Sequence, residues 1–302
     1  MFVRPIAIDG GVQVLAPAKL NLFLEVLGRR PDGFHGIESF MVMVDLFDNL
    51  TVHPAVSGEL SLVVNAPGVP TGPENLVLKA AETLRQSTGC DAGARIHLEK
   101  AIPPQAGLGG GSSDAAATLI ALNQLWGLGL PTSRLDPLAA RLGSDVNFFL
   151  HGPTSVCRSR GEDVSPFLPT RTYHFVLVRP AVGVPTAKVF EALHLGENPS
   201  VRPIAPFLDA YSSGDPACLG RSLFNRLQVT AEAVEPALRP VHDALTALVA
   251  STQLEGAILS GSGSAYLGLA RDRAAADHAA RLLSSQELGW VRVVSTCGPQ
   301  TL

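Results

Sequence analysis

Apolar and polar positions alternate through the first third of the chain. From Val12 to Val26 the apolar residues fall on every second position at Leu20, Leu22 and Leu24, which is the period of a strand with a buried face. Shorter runs at 49–53, 60–64 and 94–100 predict further strands. Between them the period becomes helical, because Leu76, Ala80 and Leu84 share one face of the segment 74–85. A second helix is predicted from Ser112 to Trp126, with Ala115, Leu119, Leu122 and Trp126 in one stripe and Gly127 and Gly129 beyond its end. Leu135 to Leu150 predicts one more short helical segment, and Pro153 to Pro169 reads as loop and turn.

The second half mixes the two periods. Tyr173–Val178, Gly256–Ser260 and Ala265–Leu269 predict strands, and 186–193, 235–249 and 274–283 predict helices. Strands and helices at uneven intervals predict an α+β fold rather than a regular parallel sheet. A chain of 302 residues corresponds to about two domains. The loop-rich stretch near the middle suggests one unit over 1–165 and a second over 166–302.

Composition removes several classes of function. The chain is 46% hydrophobic and 17% charged, a composition that builds cores. Its net charge of −4 argues against a general binder of nucleic acid. No apolar run reaches a membrane span, and the first residues lack the pattern of a signal peptide. Cys90, Cys157, Cys218 and Cys297 are scattered, so neither a zinc site nor a disulfide framework is expected, and a cytoplasmic location is. Neither nucleic acid nor a membrane is an expected partner.

The chemistry concentrates in Pro103-Pro104-Gln105-Ala106-Gly107-Leu108-Gly109-Gly110-Gly111-Ser112-Ser113, which runs directly into a predicted helix. Glycines allow positive φ and let backbone N–H groups converge. A helix N-terminus adds free amides and a partial positive charge. Together they predict a phosphate cradle, with Ser112 and Ser113 able to cap the helix or reach a phosphate or metal. The loop is neither of two familiar phosphate motifs: the P-loop lysine and the third glycine of GxGxxG are both replaced by Ser112.

Two further segments add charge in apolar settings. In Ala16-Pro-Ala-Lys-Leu-Asn21, Lys19 and Asn21 point to one face of a strand. Taken alone, Lys19 would be an edge-strand lysine. In Leu142-Gly-Ser-Asp-Val-Asn-Phe-Phe-Leu150, Asp145 precedes an apolar run and taken alone would be a helix N-cap. A lysine, an aspartate and a phosphate loop together are what phosphoryl transfer requires. Leu259-Ser-Gly-Ser-Gly-Ser-Ala265 is a second Gly/Ser turn, either near the same phosphates or a plain hairpin turn.

These segments, in this order, resemble the three motifs of the GHMP small-molecule kinases. APAKLNLFLEVLGRRPDGFHGIES, IPPQAGLGGGSSDAAATLIALN, LGSDVNFFLHG, RGE, VGVPTAKVF and LSGSGSAYLGL are most similar to the branch that acts on CDP-methylerythritol, and the similarity runs from Pro17 to Leu269. The resemblance implies a ribosomal-S5-like N-terminal unit and a ferredoxin-like C-terminal unit with the site between them. It implies transfer of the γ-phosphate of ATP to the 2-hydroxyl of CDP-methylerythritol, in non-mevalonate isoprenoid biosynthesis. It carries a catalytic pair onto Lys19 and Asp145, and ATP contacts onto 103–113 and Asn75. Substrate contacts fall on Asn21, Phe34, His35, Thr186 and Phe190, with the two phenylalanine rings sandwiching the cytosine. Mg²⁺ is expected with ATP, and Ser112 is the candidate metal contact.

The chain departs from the family pattern at five positions. Phe34 stands for the usual Tyr, Gln105 for a small or apolar residue, Asn147 for Pro, Ser159 for Gly and Arg226 for an acid. Two other readings compete. A GHMP kinase for a different alcohol would have no use for the His35 segment and Phe190, and a non-catalytic binding protein would have no need of both Lys19 and Asp145.

Overall fold

The computed structural model describes residues 3–169, 171–196 and 200–298. A short strand β1 (Ile6–Ile8) leads into β2 (Gly11–Arg29) and β3 (His35–Ala55), an antiparallel hairpin far longer than the separate runs of the sequence predict. Next come β4 (Leu60–Val64), α1 (Leu76–Thr88) and β5 (Gly93–Glu99). The glycine loop then opens α2 (Gly110–Leu125), followed by α3 (Thr132–Leu142) and α4 (Val146–His151). The predicted helical segment 135–150 is thus two helices, broken at Gly143, Ser144 and Asp145.

The stretch 153–169, expected as loop, instead holds β6 (Thr154–Ser159) and β7 (Asp163–Pro166), an antiparallel pair docked on β3. Short strands with polar residues on both faces, flanked by prolines, mask the alternation, and pairing with β3 supplies what local propensity lacks.

A second sheet begins with β8 (His174–Arg179) and α5 (Thr186–Ala192). The sequence reading passes over the next four elements, α6 (Ala205–Ser212), α7 (Pro216–Ser222), β9 (Phe224–Asn225) and α8 (Gln228–Val234). The chain closes with α9 (Arg239–Ala250), β10 (Gly256–Leu259), β11 (Tyr266–Ala270), α10 (Arg273–Ser284) and β12 (Trp290–Ser295). The first sheet has β1-β2-β3-β5-β4 as its main path, and the second runs β10-β11-β8-β12. Both are antiparallel apart from the β4–β5 and β2–β9 pairs, in keeping with α+β.

Strand alternation divides the cores. On β8, Phe175 and Leu177 pack with Phe23, Phe40 and Leu20 of the first sheet, while Val176 and Val178 face Leu245 of α9 and Ala276 of α10. The second sheet therefore has no solvent-facing side at its centre. α2 shows the same effect: residues 113–122 are all buried, so the expected one-sided stripe is absent. Its alanines allow close approach to β2, β3 and α1 on several sides at once. No helix among the described residues is long and apolar enough to cross a membrane.

Candidate active site

Lys19 is not an exposed edge-strand lysine: it pairs with Met43 of β3 on one side, the glycine loop covers the other, where neither β1 nor β9 reaches, by accepting Lys19 N–H at Leu108 O, and the residue is 4% exposed. Register shifts flank it between Pro17 and Ala18 and between Asn21 and Phe23. Such bulges re-aim side chains, and here Lys19 and Asn21 share a face and a hydrogen bond from Nζ to Asn21 Oδ1. Asn21 is oriented in turn by donating to Ser39 Oγ at 2.8 Å.

Asp145 occupies the N-cap position of α4, but its side chain makes no capping bond. It points instead at Lys19, with Oδ2 3.5 Å from Nζ. The helix therefore does without the capping bond that the local reading assigned to this carboxylate.

The glycine loop lies against this pair. Gln105, Gly107 and Gly109 all have positive φ, at 54°, 75° and 71°. The carbonyls of Ala106, Gly107 and Leu108 accept from Ala265 N–H at 3.0 Å, Ser260 Oγ at 3.1 Å and Lys19 N–H at 2.9 Å. The loop is thus sewn to both sheets, and the free first-turn amides of α2 remain for an anion. α2 begins at Gly110, two residues before the prediction, with Gly109 at the N-cap and no side-chain cap. Ser112 and Ser113 therefore lie inside the helix and do not cap it: Ser112 faces the cavity, and Ser113 is buried with its hydroxyl unpaired.

Gly109 has no room for a side chain, since a Cβ would sit 2.8 Å from Lys19 Cγ and 3.0 Å from Phe149 Cζ. Gly109→Ala is expected to lower the melting temperature, with about 1–2 kcal/mol from the left-handed backbone alone. It should also weaken ATP binding; calorimetry and nucleotide titration check both effects.

The structure also places the turn 259–265, which the sequence leaves open. Gly261 lies beside Asn21 and Lys19, and Thr186 Oγ1 hydrogen bonds Ser262 Oγ at 2.8 Å. One cavity of about 1230 Å³ joins all these parts and extends to Phe34, His35 and Phe190. Asn75 also lines it, while capping α1 through Val77 N–H at 2.9 Å.

The far end departs from a simple two-ring slot. Phe34 is 50% exposed, and the guanidinium of Arg160 covers its ring at 4.8 Å. His35 packs on Phe190 with centroids 5.1 Å apart. Burial and the charge of Arg29 hold the His35 imidazole below its ordinary pKa, so it is neutral near pH 7, with one donor and one acceptor nitrogen. Ser159 sits at φ 65°, where glycine would be unstrained, and its hydroxyl accepts from Arg30 at 2.6 Å. Asn147 Nδ2 donates to Asp136 O at 3.0 Å. Arg226 forms a double hydrogen bond with the buried Glu25 at 2.7 Å. Burial alone would raise the Glu25 pKa, but Arg226 and the N–H groups of Arg202 and Val26 outweigh it and hold the carboxyl low.

Sequence reasoning missed Arg160 and the buried cluster of Lys100, Asp48 and Asp114, because their partners are distant in the chain. Burial, with the nearby Asp48 charge, pushes the Asp114 carboxyl up to about 7, although Lys100 opposes the shift. No group of three or more His, Cys, Asp or Glu residues among the described residues could hold a resident metal. Mg²⁺ keeps water and phosphate oxygens and needs few protein ligands, so a lone cavity-facing hydroxyl such as that of Ser112 fits a metal that arrives with a nucleotide.

Comparison with known proteins agrees with this geometry. The GHMP kinases N terminal domain matches residues 75–153 and the GHMP kinases C terminal domain matches 206–287. A 4-diphosphocytidyl-2-C-methyl-D-erythritol kinase of Pelotomaculum thermopropionicum is 42% identical over 261 residues, covering 86% of this chain and 90% of that protein. A solved 4-(cytidine 5'-diphospho)-2C-methyl-D-erythritol kinase is similar with a TM-score of 0.78 and 37% identity, covering 95% of this chain and 99% of that one. The homoserine kinase of Cytophaga hutchinsonii, at TM-score 0.71 and 19% identity, covers 97% of this chain and 96% of its own and shares the fold. Identity of 42% over 86% of this chain and 90% of that relative, with both GHMP domains matched, places the chain in the 4-diphosphocytidyl-2-C-methyl-D-erythritol kinase family of the GHMP kinases.

Proposed function

We infer that this chain transfers the γ-phosphate of ATP to the 2-hydroxyl of 4-diphosphocytidyl-2-C-methyl-D-erythritol, yielding the 2-phosphate and ADP. The observation that carries the reading is the 3.5 Å Lys19–Asp145 pair, set between the glycine loop and the aromatic end of one cavity. Residues 103–113 and Asn75 hold ATP, with the α2 amides on its phosphates. Asn21, Phe34, His35, Thr186 and Phe190 hold the acceptor, with the neutral His35 ring reading the hydrogen-bonding edge of the cytosine. Asp145 takes the proton of the 2-hydroxyl as its oxygen bonds to the γ-phosphorus and the bond from the γ-phosphorus to the β–γ bridging oxygen breaks. Lys19 holds Asp145 in place and offsets the charge that develops on the attacking oxygen. Mg²⁺ arriving with ATP would neutralise phosphate charge, and the Ser112 hydroxyl would be the protein oxygen that holds it. The N-terminal unit spans 1–165 and the C-terminal unit 166–302, in a cytoplasmic enzyme without an obligate protein partner.

The direct test is ADP release with purified protein, Mg-ATP and the CDP-linked alcohol, beside mevalonate, homoserine and galactose. Turnover with the CDP-linked alcohol alone is expected. Turnover only with another alcohol would keep the kinase and discard the acceptor. No turnover by folded, ATP-binding protein would favour a binding protein.

His35→Ala should raise KM for the CDP-linked alcohol while KM for ATP stays near the parent value. An equal rise in both would place His35 outside the acceptor pocket.

A further inference from the structure

A second buried charge cluster stands where the glycine loop begins and ends. Lys100 follows β5 directly, and its side chain is 7% exposed. Its Nζ lies 2.5 Å from Asp48 Oδ2 and 2.6 Å from Asp114 Oδ2. Asp48, on β3, also accepts the N–H groups of Ala101 and Ile102 through Oδ1, at 2.6 and 2.8 Å. Asp114 lies within the first turns of α2, the helix into which the loop exits. One carboxylate therefore holds the entry of the loop, the other belongs to its exit, and a single ammonium joins them.

The segment between has no regular structure of its own, and positive φ recurs at Gln105, Gly107 and Gly109. Its span is set from outside. The ammonium lies directly against the start of α2, since a Cβ on Gly110 would be 3.2 Å from Lys100 Nζ. Packing alone does not account for the cluster. Asp114 Oδ1 is buried without a hydrogen-bond partner, and apolar residues of similar volume commonly match or exceed the stability of buried ions. In some proteins a buried ion cluster is kept for the geometry it fixes.

We propose that Asp48, Lys100 and Asp114 form a tether that sets the distance between the two ends of the glycine loop, and so act as positioning residues for ATP. The proposal rests on reading 103–113 as the ATP phosphate cradle. The tether works through the hydrogen bond from Lys100 to the side chain at 114. Asp114→Asn keeps an acceptor oxygen for Lys100, and Asp114→Ala removes it, while both remove the charge.

Steady-state kinetics of the whole chain separate these cases. Asp114→Ala should raise KM for ATP on the order of 10–10²-fold, the penalty of a small misplacement, with KM for the CDP-linked alcohol unchanged. Asp114→Asn should keep both values near those of the parent. A parent-like KM for ATP in Asp114→Ala would overturn the proposal, because a purely structural role lowers stability and active fraction without moving KM. Equal impairment in both variants would also overturn it, since charge and not the tether would then matter. If Asp114→Ala does not fold, Lys100→Met with Asp114→Asn removes one charge of each sign and leaves Asp48 on its two N–H donors. The same rise in KM for ATP is expected there, and its absence overturns the proposal. Gly109→Ala measured in parallel separates the two levels. If it too leaves ATP affinity unchanged, the cradle reading itself fails; if it alone weakens ATP, only the tether fails.

Discussion

Asp145→Asn is expected to lower kcat on the order of 10²–10⁴-fold, the range for loss of a general base. The amide keeps the shape of the carboxylate but cannot take the hydroxyl proton. The substitution should leave the fold intact, because the Asp145 side chain makes no capping bond to α4 and is 28% exposed. ATP binding should also persist, since the loop is held by β2 and by the 259–265 turn through backbone carbonyls and Ser260. Single-turnover phosphoryl transfer together with nucleotide titration checks both statements. A parent-like kcat would remove Asp145 from the proton's path.

Lys19→Met should lower kcat on the order of 10²–10³-fold, the size of effect seen when one preorganised electrostatic group is removed from a transition state. Methionine fills the stem of the lysine beside Gly109 but leaves Asp145 and Asn21 Oδ1 without their ammonium partner. Stability should also fall, because Lys19 is 4% exposed and removing one member of a buried pair leaves the other uncompensated, so kcat is compared per folded, ATP-binding molecule. The pair acts as a unit, so the double variant with Asp145→Asn should be no slower than the worse single variant by more than a small factor. Fully multiplicative losses would show that the two residues act separately.

Legibility in the sequence followed the range of each interaction. The glycine loop, the Lys19 strand and the Asp145 turn were readable because each is a local pattern whose chemistry is written in neighbouring residues. The 153–169 hairpin was not, because its strands depend on the edge that β3 offers. The α2 stripe misled because a helix packed on several sides carries no polar face. Serine capping of α2 failed by two residues: the helix starts on Gly110, at the point where the backbone must approach Lys19 and Phe149.

The sequence alone determined the α+β class, the order of the three kinase-like segments and the residue types at the reacting centre. These follow from periodicity, from glycine's freedom at positive φ and from the rarity of charge inside apolar runs. Only the tertiary structure decided which charges meet. It brought Asp145 to Lys19, set Arg160 over Phe34, joined the 259–265 turn to the loop, and gathered Asp48 and Asp114 around the Lys100 ammonium. The reason is physical: partners brought together by packing two sheets and their helices have no fixed spacing along the chain, so no local period can announce them.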